Sequence, residues 1–371
     1  MAEPLKNMFF THESLAKFVD AIRRIYPGFD GESFLKLIHT PQWEGLELKE
    51  RMRHTTLCLG KTLPKDYRNA LDILKKAAPL VKGFEAASLP DFVEVYGRED
   101  WEASLPALKH FTYYFSSEFS VRPFLDEDPE RAMALMLECA EDSEENVRRF
   151  ASESCRPRLP WAMALPRFKK DPSPILPVLE KLKDDPSEFV RRSVANNLND
   201  ISKDHPEVVL DLAEKWLGRS ESTDWIVKQA CRTLLKTGNT QAMRLFGFGN
   251  PSNLHIRNLR FSRDKIKIGE DIHFFFDLDV EEKESCRVRL EYRVDYAKSQ
   301  GKRSKKIFQI SENDYQPGIY AFKRKQTFED MSTRKHYPGK HSIAVVVNGE
   351  IKAEKSLTLG QSPPSGQPAP K

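Results

Sequence analysis

Apolar side chains recur every three or four positions through the first 236 residues, which is the spacing of one face of an α-helix. Leu15, Phe18 and Ile22 follow Thr11, a suitable N-cap residue, and Pro27 predicts the end of that helix. Strand-like alternation is almost absent here. Further helices are predicted over residues 44–59, 65–78, 101–119, 129–140, 146–154, 175–183, 188–201, 207–216 and 224–236.

Two segments of this helical part resemble each other. Residues 142–149 read DSEENVRR, residues 185–192 read DPSEFVRR 43 positions later, and residues 223–228 form a weaker third copy. A helix-pair repeat of about 40–47 residues is typical of HEAT and armadillo proteins, whose pairs stack into a curved solenoid. The repeat therefore predicts an all-α solenoid with a concave face.

The pattern changes after the turn-rich residues 247–251. Residues 265–268, 272–278 and 286–294 read as strands, and Asn348-Gly349 predicts the turn of a hairpin. Short strands at this density are typical of an immunoglobulin-like sandwich. The predicted fold class is α+β and multidomain: an N-terminal all-α HEAT-like repeat solenoid (1–247), a linker (248–254), a C-terminal immunoglobulin-like β-sandwich (255–360) and a tail that is disordered by composition (361–371).

Several classes of function are excluded by composition and motifs. No window approaches the roughly 18 uncharged apolar residues of a membrane helix. The five cysteines form no CxxC pair and the nine histidines no HExxH motif, so neither a metal nor a cofactor is expected. GxGxxG, Walker A and GxSxG motifs are absent. We expect a cytoplasmic protein with no membrane partner.

The positive charge is concentrated in the C-terminal part. Residues 251–371 hold 23 Lys and Arg against 16 Asp and Glu. These cations are clustered in the sequence. Clusters of positive charge suit a polyanion such as nucleic acid, although solvated loops of an ordinary domain would have the same composition. The clusters are Lys302, Arg303, Lys305 and Lys306, then Lys323, Arg324 and Lys325, then Arg334, Lys335 and Lys340.

Two repeat helices carry polar stripes in register. Arg149, Glu153 and Arg156 follow helical spacing on the first helix. Arg192, Asn196 and Asp200 do so on the second, with Arg192 aligned to Arg149. Arginines at such positions are suited to phosphate groups. The alternative is a solvated helix face with ordinary ion pairs.

Two further features combine aromatic and charged residues. Glu118 follows Phe111, Tyr114 and Phe115 at helical spacing, and it lies either at the rim of an aromatic core or in a site. Trp161 is either a core plug or an exposed stacking platform. The cations near it, which favour nucleic acid, are Arg156, Arg158, Arg167, Lys169 and Lys170.

Taken together, these segments resemble the AlkC family of bacterial alkylpurine DNA glycosylases, relatives of the AlkD family. The resemblance rests on residues 113–124, 147–154, 156–161 and 189–200, and on residues 336–341 with the Asn348-Gly349 hairpin. It covers nearly the whole chain except the tail.

The resemblance implies base excision repair: hydrolysis of the N-glycosidic bond of N-alkylated bases, chiefly N3-methyladenine, in duplex DNA without base flipping. It implies that Glu118, Glu153 and Asp200 are the acidic groups at the lesion. It also implies that Trp161 packs against the deoxyribose or base step. Arg149 and Arg192 would bind phosphates. Alkylated double-stranded DNA would be the partner of a monomer.

The chemistry of such a lesion explains why acids are needed. An N3-alkylated adenine is already cationic, so it leaves without a general acid, and positive charge develops on the sugar. A carboxylate stabilises that charge, and one acid can align the attacking water. Two alternatives stay open from the sequence: a non-catalytic HEAT-repeat scaffold for protein partners, and an architectural DNA-binding protein.

Overall fold

The computed structural model describes residues 8–331 and 334–361, with the side chain of Gln300 left aside. Residues 362–371 of the predicted tail lie outside the described residues. The chain divides into two compact units, Met1–Cys231 and Arg232–Lys371. The predicted boundary at 248–254 differs from this division, because residues 232–247 are grouped with the strands that follow them.

The first unit is helical. Its amphipathic helices bury the predicted apolar faces, including Leu15, Phe18, Val147 and Val190. The helices are α1 (His12–Ile25), α2 (Gly31–Ile38), α3 (Leu48–Thr62), α4 (Tyr67–Ala77), α5 (Ser88–Tyr96), α6 (Trp101–Thr112), α7 (Arg122–Glu127), α8 (Pro129–Cys139), α9 (Glu145–Ser154), α10 (Pro166–Lys170), α11 (Leu176–Leu182), α12 (Glu188–Ile201), α13 (Pro206–Trp216) and α14 (Glu221–Ala230).

The repeat seen in the sequence corresponds to a repeated local structure. Arg148 donates to the backbone oxygens of Asp142 and Ser143 before α9. Arg191 makes the same two contacts before α12, with the oxygens of residues 185 and 186. Arg148 also pairs with Asp185 at 2.6 Å, which joins one repeat to the next. The shared DxxExVRR pattern therefore fixes the start of each repeat helix.

One predicted helix is shorter than expected. Residues 101–119 were expected to form one helix carrying Glu118, but α6 ends at Thr112. The hydroxyl of Ser117 donates to the backbone oxygen of Leu108 at 2.8 Å, so a side chain satisfies a carbonyl near the end of the helix. The prediction that Glu118 shares a helix face with Phe111 is therefore wrong, and Glu118 lies in the following loop.

The second unit is a two-sheet sandwich preceded by two short helices, α15 (Arg232–Lys236) and α16 (Thr240–Leu245). The sheets have strand orders β1-β3-β6 and β2-β8-β7-β4-β5. Between them lies an apolar core that includes Phe274, Leu290 and Val345. The strands are β1 (Leu254–Phe261), β2 (Lys265–Lys267), β3 (Asp271–Val280), β4 (Cys286–Ala297), β5 (Arg303–Tyr315), β6 (Gly318–Thr327), β7 (Gly339–Val347) and β8 (Glu350–Gly360).

Two of the basic clusters, which the alternative interpretation placed in solvated loops, lie instead on or directly before strands. Lys302 directly precedes β5, and Arg303, Lys305 and Lys306 begin this edge strand of the five-stranded sheet. Lys323–Lys325 lies within β6, an edge strand of the other sheet. Cationic side chains on edge strands hinder pairing with other chains, which accounts for part of this charge. The fold class of helical repeats followed by a sandwich is confirmed.

Close backbone contact fixes the short helices to the sandwich. Asn348 and Gly349 have φ values of +47° and +82°, as the predicted two-residue turn requires. Gly238, with φ +74°, packs against Gly349. A Cβ atom on Gly238 would lie 2.7 Å from the oxygen of Gly349.

We therefore expect Gly238→Ala to lower the free energy of unfolding of the second unit by about 2–3 kcal/mol, because positive φ and steric overlap act together. Gly301→Ala is the matched control, since φ is +72° there but nothing lies within 4 Å of the added atom. It should cost about 1 kcal/mol. Equal losses of stability in urea denaturation would show that steric overlap contributes nothing.

Candidate active site

A buried arginine organises the loop between α9 and α10. Arg122, at the start of α7, is fully buried, and burial lowers the pKa of its guanidinium to about 10. It donates to the backbone oxygens of Ser154, Arg156 and Met163 at 2.6, 2.9 and 2.7 Å. These three bonds replace the water that a guanidinium loses on burial. They also fix the segment that carries Arg156 and Trp161.

Arg156 joins two of the predicted acids. Its Nη1 donates to Glu153 at 2.7 Å and its Nε donates to Asp200 at 3.0 Å. Although burial opposes it, the two carboxylates raise the pKa of Arg156. Arg156 is a predicted ligand of DNA phosphates, but its side chain is 9% exposed and its Nε and Nη1 are both bonded to acids. Holding Glu153 in place is the function that this geometry supports.

The remaining oxygens of these acids are also bonded. Oε2 of Glu153 accepts from Ser193 on α12, at 2.7 Å, and Ser193 accepts from Ser152 on α9 at the same distance. Asp200 accepts from Lys203 at 2.9 Å. Glu153 is thus anchored by two helices, and Asp200 is buried behind Arg156.

Glu118 lies in the loop after α6, and its side chain reaches the neighbourhood of Glu153. Its Oε2 accepts from Ser116 at 2.8 Å and from Arg149 at 2.5 Å. Its Oε1 has no hydrogen-bond partner among the residues that the structure describes. Arg149 also lies 3.6 Å from Glu153 and stacks at 4.5 Å on the exposed ring of Phe189. The predicted phosphate ligand Arg149 is thus placed between two acids.

These acids open onto an apolar cleft with a volume of about 360 Å³. Glu118 and Glu153 are the two acids on its wall, beside the cations Arg156 and Lys49, whereas Asp200 does not line it. Trp161 is 68% exposed at the cleft, which excludes the alternative of a core plug. The remaining lining residues are Lys49, Met52, Phe84, Ala87, Pro90, Phe115, Ser116, Phe119, Ser120, Leu159 and Pro160.

The other predicted DNA ligands of the first unit lie on its surface. Arg158 pairs with Asp204, whose hydrogen bond raises the pKa of Arg158. Arg192 pairs with Glu188 at 2.7 Å and is well exposed. Lys169 and Lys170 lie on α10. Arg158 also donates to the backbone oxygen of Asp200 at 3.5 Å, so this cation lies at the edge of the group of acids.

The predicted cations of the second unit are mostly exposed. Lys302, Arg303 and Lys305 project from β5 or its start, and Arg303 pairs with Asp295 at 3.1 Å. Arg334 stacks at 5.5 Å on Tyr296. Lys335 and Lys340 are exposed beside it in the chain.

Some cleft residues were not predicted as functional. Lys49 comes from α3 and Phe84 from a 3-10 turn between α4 and α5, and no local pattern connects them with the acids. Phe189 does not line the cleft, but its exposed ring contacts Arg149, and an apolar residue on an exposed helix turn is a signal that could have indicated such a role.

Other kinds of chemistry find little support in the described residues. Across residues 8–331 and 334–361 no group of three or more His, Cys, Asp or Glu is placed to hold a metal ion. Burial raises the pKa of Cys155 near the cluster to about 12, which opposes a thiolate there. In the same ranges, no helix has the length and apolar character that crossing a membrane requires.

Comparison with known proteins agrees with the two units. A HEAT repeat model matches residues 175–205, and a model for the C-terminal Ig-like domain of the uncharacterised protein YhaZ matches residues 255–361. The uncharacterized protein YhaZ of Bacillus subtilis (strain 168) is 45% identical over 344 residues, which are 92% of this chain and 96% of YhaZ.

A solved structure matches both units together. It is the alkylpurine DNA glycosylase AlkC of Pseudomonas fluorescens, bound to DNA containing an abasic site analog. The match is 38% identical, has a TM-score of 0.91, and covers 96% of this chain and 100% of the other. The chain therefore belongs to the AlkC family of alkylpurine DNA glycosylases.

Proposed function

We propose that this protein is a DNA glycosylase of base excision repair, which hydrolyses the N-glycosidic bond of cationic N-alkylated bases, chiefly N3-methyladenine, in duplex DNA. The observation that carries the proposal is the pair of carboxylates, Glu118 and Glu153, on the wall of an apolar cleft beside the exposed Trp161. The AlkC relative, solved with an abasic site analog, supports it. The protein would act as a monomer on the nucleoid in the cytoplasm.

The two cleft acids have different tasks in this proposal. Glu118 has an unbonded oxygen, so it faces the developing sugar cation and orients the attacking water. Glu153 is held by Arg156 and Ser193, and it adds fixed negative charge at the wall. Asp200 acts through Arg156 as a positioning residue.

The expected size of the effect follows from Coulomb's law. A carboxylate about 4 Å from the sugar cation contributes about 4 kcal/mol at an effective dielectric constant of ~20, or roughly a thousandfold in rate. Arg149 and Arg156 offset part of this charge. We therefore expect about a hundredfold from one acid. The Trp161 face adds about 0.5–2 kcal/mol through contact with the cation.

The test of the function is base release from duplex DNA that contains one defined lesion. N3-methyladenine should be released, and neutral hypoxanthine or uracil should not, because a neutral base is a poor leaving group without an acid. Absence of release with tight DNA binding would support an architectural DNA-binding protein. Absence of both release and binding would support a protein scaffold.

The base is proposed to stay stacked during excision, unlike in glycosylases that flip the nucleotide. A fluorescent adenine analogue at the lesion position should then remain quenched by stacking in the complex. Strong fluorescence on binding would contradict this part of the proposal and leave the excision activity unaffected.

The exposed cations of β5 are proposed to bind DNA phosphates. Replacing Lys302 and Lys305 together by glutamine should weaken DNA binding about tenfold or more at 0.1 M salt, and should lower the slope of log affinity against log salt by about 2. Lys265→Gln with Lys267→Gln is the matched control, because these exposed lysines lie on β2 at the other edge of the same sheet. Equal losses in both pairs would show that β5 has no special role.

A further inference from the structure

Trp161 is held in an unusual backbone conformation. Its φ is +66°, a region that bulky residues rarely adopt, and such a conformation persists only where the surroundings impose it. Arg122 fixes the loop two residues later, through the oxygen of Met163. The oxygen of Trp161 itself accepts a hydrogen bond of 2.6 Å from Nζ of Lys49.

Lys49 is well placed to act as a tether. It is the second residue of α3, whose start is fixed by a 2.8 Å bond from the backbone nitrogen of Glu47 to Glu50. Its ammonium lies 5.1 Å from the centre of the Phe119 ring, which is part of the cleft wall. One cation thus contacts an aromatic wall and the carbonyl of the exposed tryptophan.

We propose that Lys49 is a positioning residue that holds Trp161 over the cleft, and that it does not act as a phosphate ligand. The inference rests on the proposed function, because positioning of Trp161 matters only if its ring contacts the lesion. The charge of Lys49 also supports this role. An ammonium group close to the sugar would repel the developing cation. The hydrogen bond to the oxygen of Trp161 holds the Lys49 ammonium at the backbone of the loop instead.

The first experiment needs no activity. Quenching of tryptophan emission by acrylamide is measured in the free protein, and the contribution of Trp161 is the difference from a Trp161→Phe background, since the chain has five tryptophans. Lys49→Met should change that contribution, and Lys49→Arg should preserve it, because a guanidinium also donates to a carbonyl. Lys61→Met, an exposed lysine at the end of the same helix, is the control and should change nothing. Unchanged quenching in Lys49→Met would overturn the proposal even if the protein excised no base.

The second experiment separates positioning from phosphate binding. Lys49→Met should slow single-turnover release of N3-methyladenine about tenfold with nearly unchanged DNA affinity, and Lys49→Arg should restore most of the rate. In the Trp161→Ala background the same substitution should have almost no effect, because the tethered group is gone. A phosphate ligand would behave differently: affinity and its salt dependence would fall, and the two substitutions would act independently. That second pattern would overturn the proposal.

Discussion

Glu118→Gln is expected to slow the release of N3-methyladenine at saturating enzyme by about a hundredfold, with little change in DNA affinity. The amide keeps the size of the side chain, and its single oxygen can take the place of the glutamate Oε2 and still accept from Ser116 and Arg149. The substitution removes the negative charge beside the sugar. That charge stabilises the transition state more than it stabilises the ground state. Single-turnover excision with defined lesion DNA measures this directly.

The control for this prediction is Glu138→Gln. Glu138 lies on α8, is well exposed and pairs with Lys109 at 2.8 Å, so it tests the loss of one negative charge away from the cleft. It should change the excision rate less than twofold, as expected for an exposed ion pair. A Glu118→Gln enzyme with normal rate, or one that fails only in DNA binding, would remove Glu118 from the catalytic role.

The sequence predicted the repeat helices well, because helical periodicity and burial specify the same residues. The prediction for 188–201 coincides with α12, and Val190 and Val194 on its core face are buried. Asn197 of the same helix is buried as well, and its amide donates to the backbone oxygen of Ser152 at 2.8 Å. Local periodicity is sufficient for such elements, since each helix buries one stripe against its neighbours.

The strands with many charges were harder to predict. In β6 the partly buried Tyr320 and Phe322 alternate with the exposed Ala321 and Lys323, but the run of three cations at 323–325 hid the strand pattern. In β5 partly buried and exposed residues do not alternate cleanly. Both are edge strands, where one side of the strand lacks a partner and the burial constraint is weaker.

The candidate site was predicted in its residue types but not in its connections. Spacing alone placed Glu153 and Asp200 on stripes with arginines, yet it could not show that Arg156 bonds both acids. Nor could it show which acid opens to the cleft, because that depends on the loop after α6 and on the backbone of Trp161. These features arise from contacts between segments distant in sequence, which no local pattern encodes.

Glu153→Gln combined with Asp200→Asn is expected to have the largest effect of all the substitutions considered. Both carboxylates that bond Arg156 lose their charge, so a buried guanidinium remains without an opposite charge at either end. The free energy of unfolding of the helical unit should fall by about 2–3 kcal/mol, less than for truncation because the amides still accept hydrogen bonds. Base release should fall about a thousandfold, since both fixed negative charges beside Arg156 are lost and its positive charge is left uncompensated at the cleft wall.

The single variants show how the two acids divide this effect. If Asp200 acts through Arg156, Asp200→Asn alone should slow release about tenfold, and Glu153→Gln alone should slow it nearer a hundredfold. These two effects multiply to the thousandfold expected for the double variant, and a smaller loss in the double variant would measure the coupling through the guanidinium that the two residues share. Urea denaturation and single-turnover excision are measured on the same preparations, below the temperature at which the double variant unfolds. Undiminished release in a folded double variant would show that stabilisation of the sugar cation by these acids is not how the protein works.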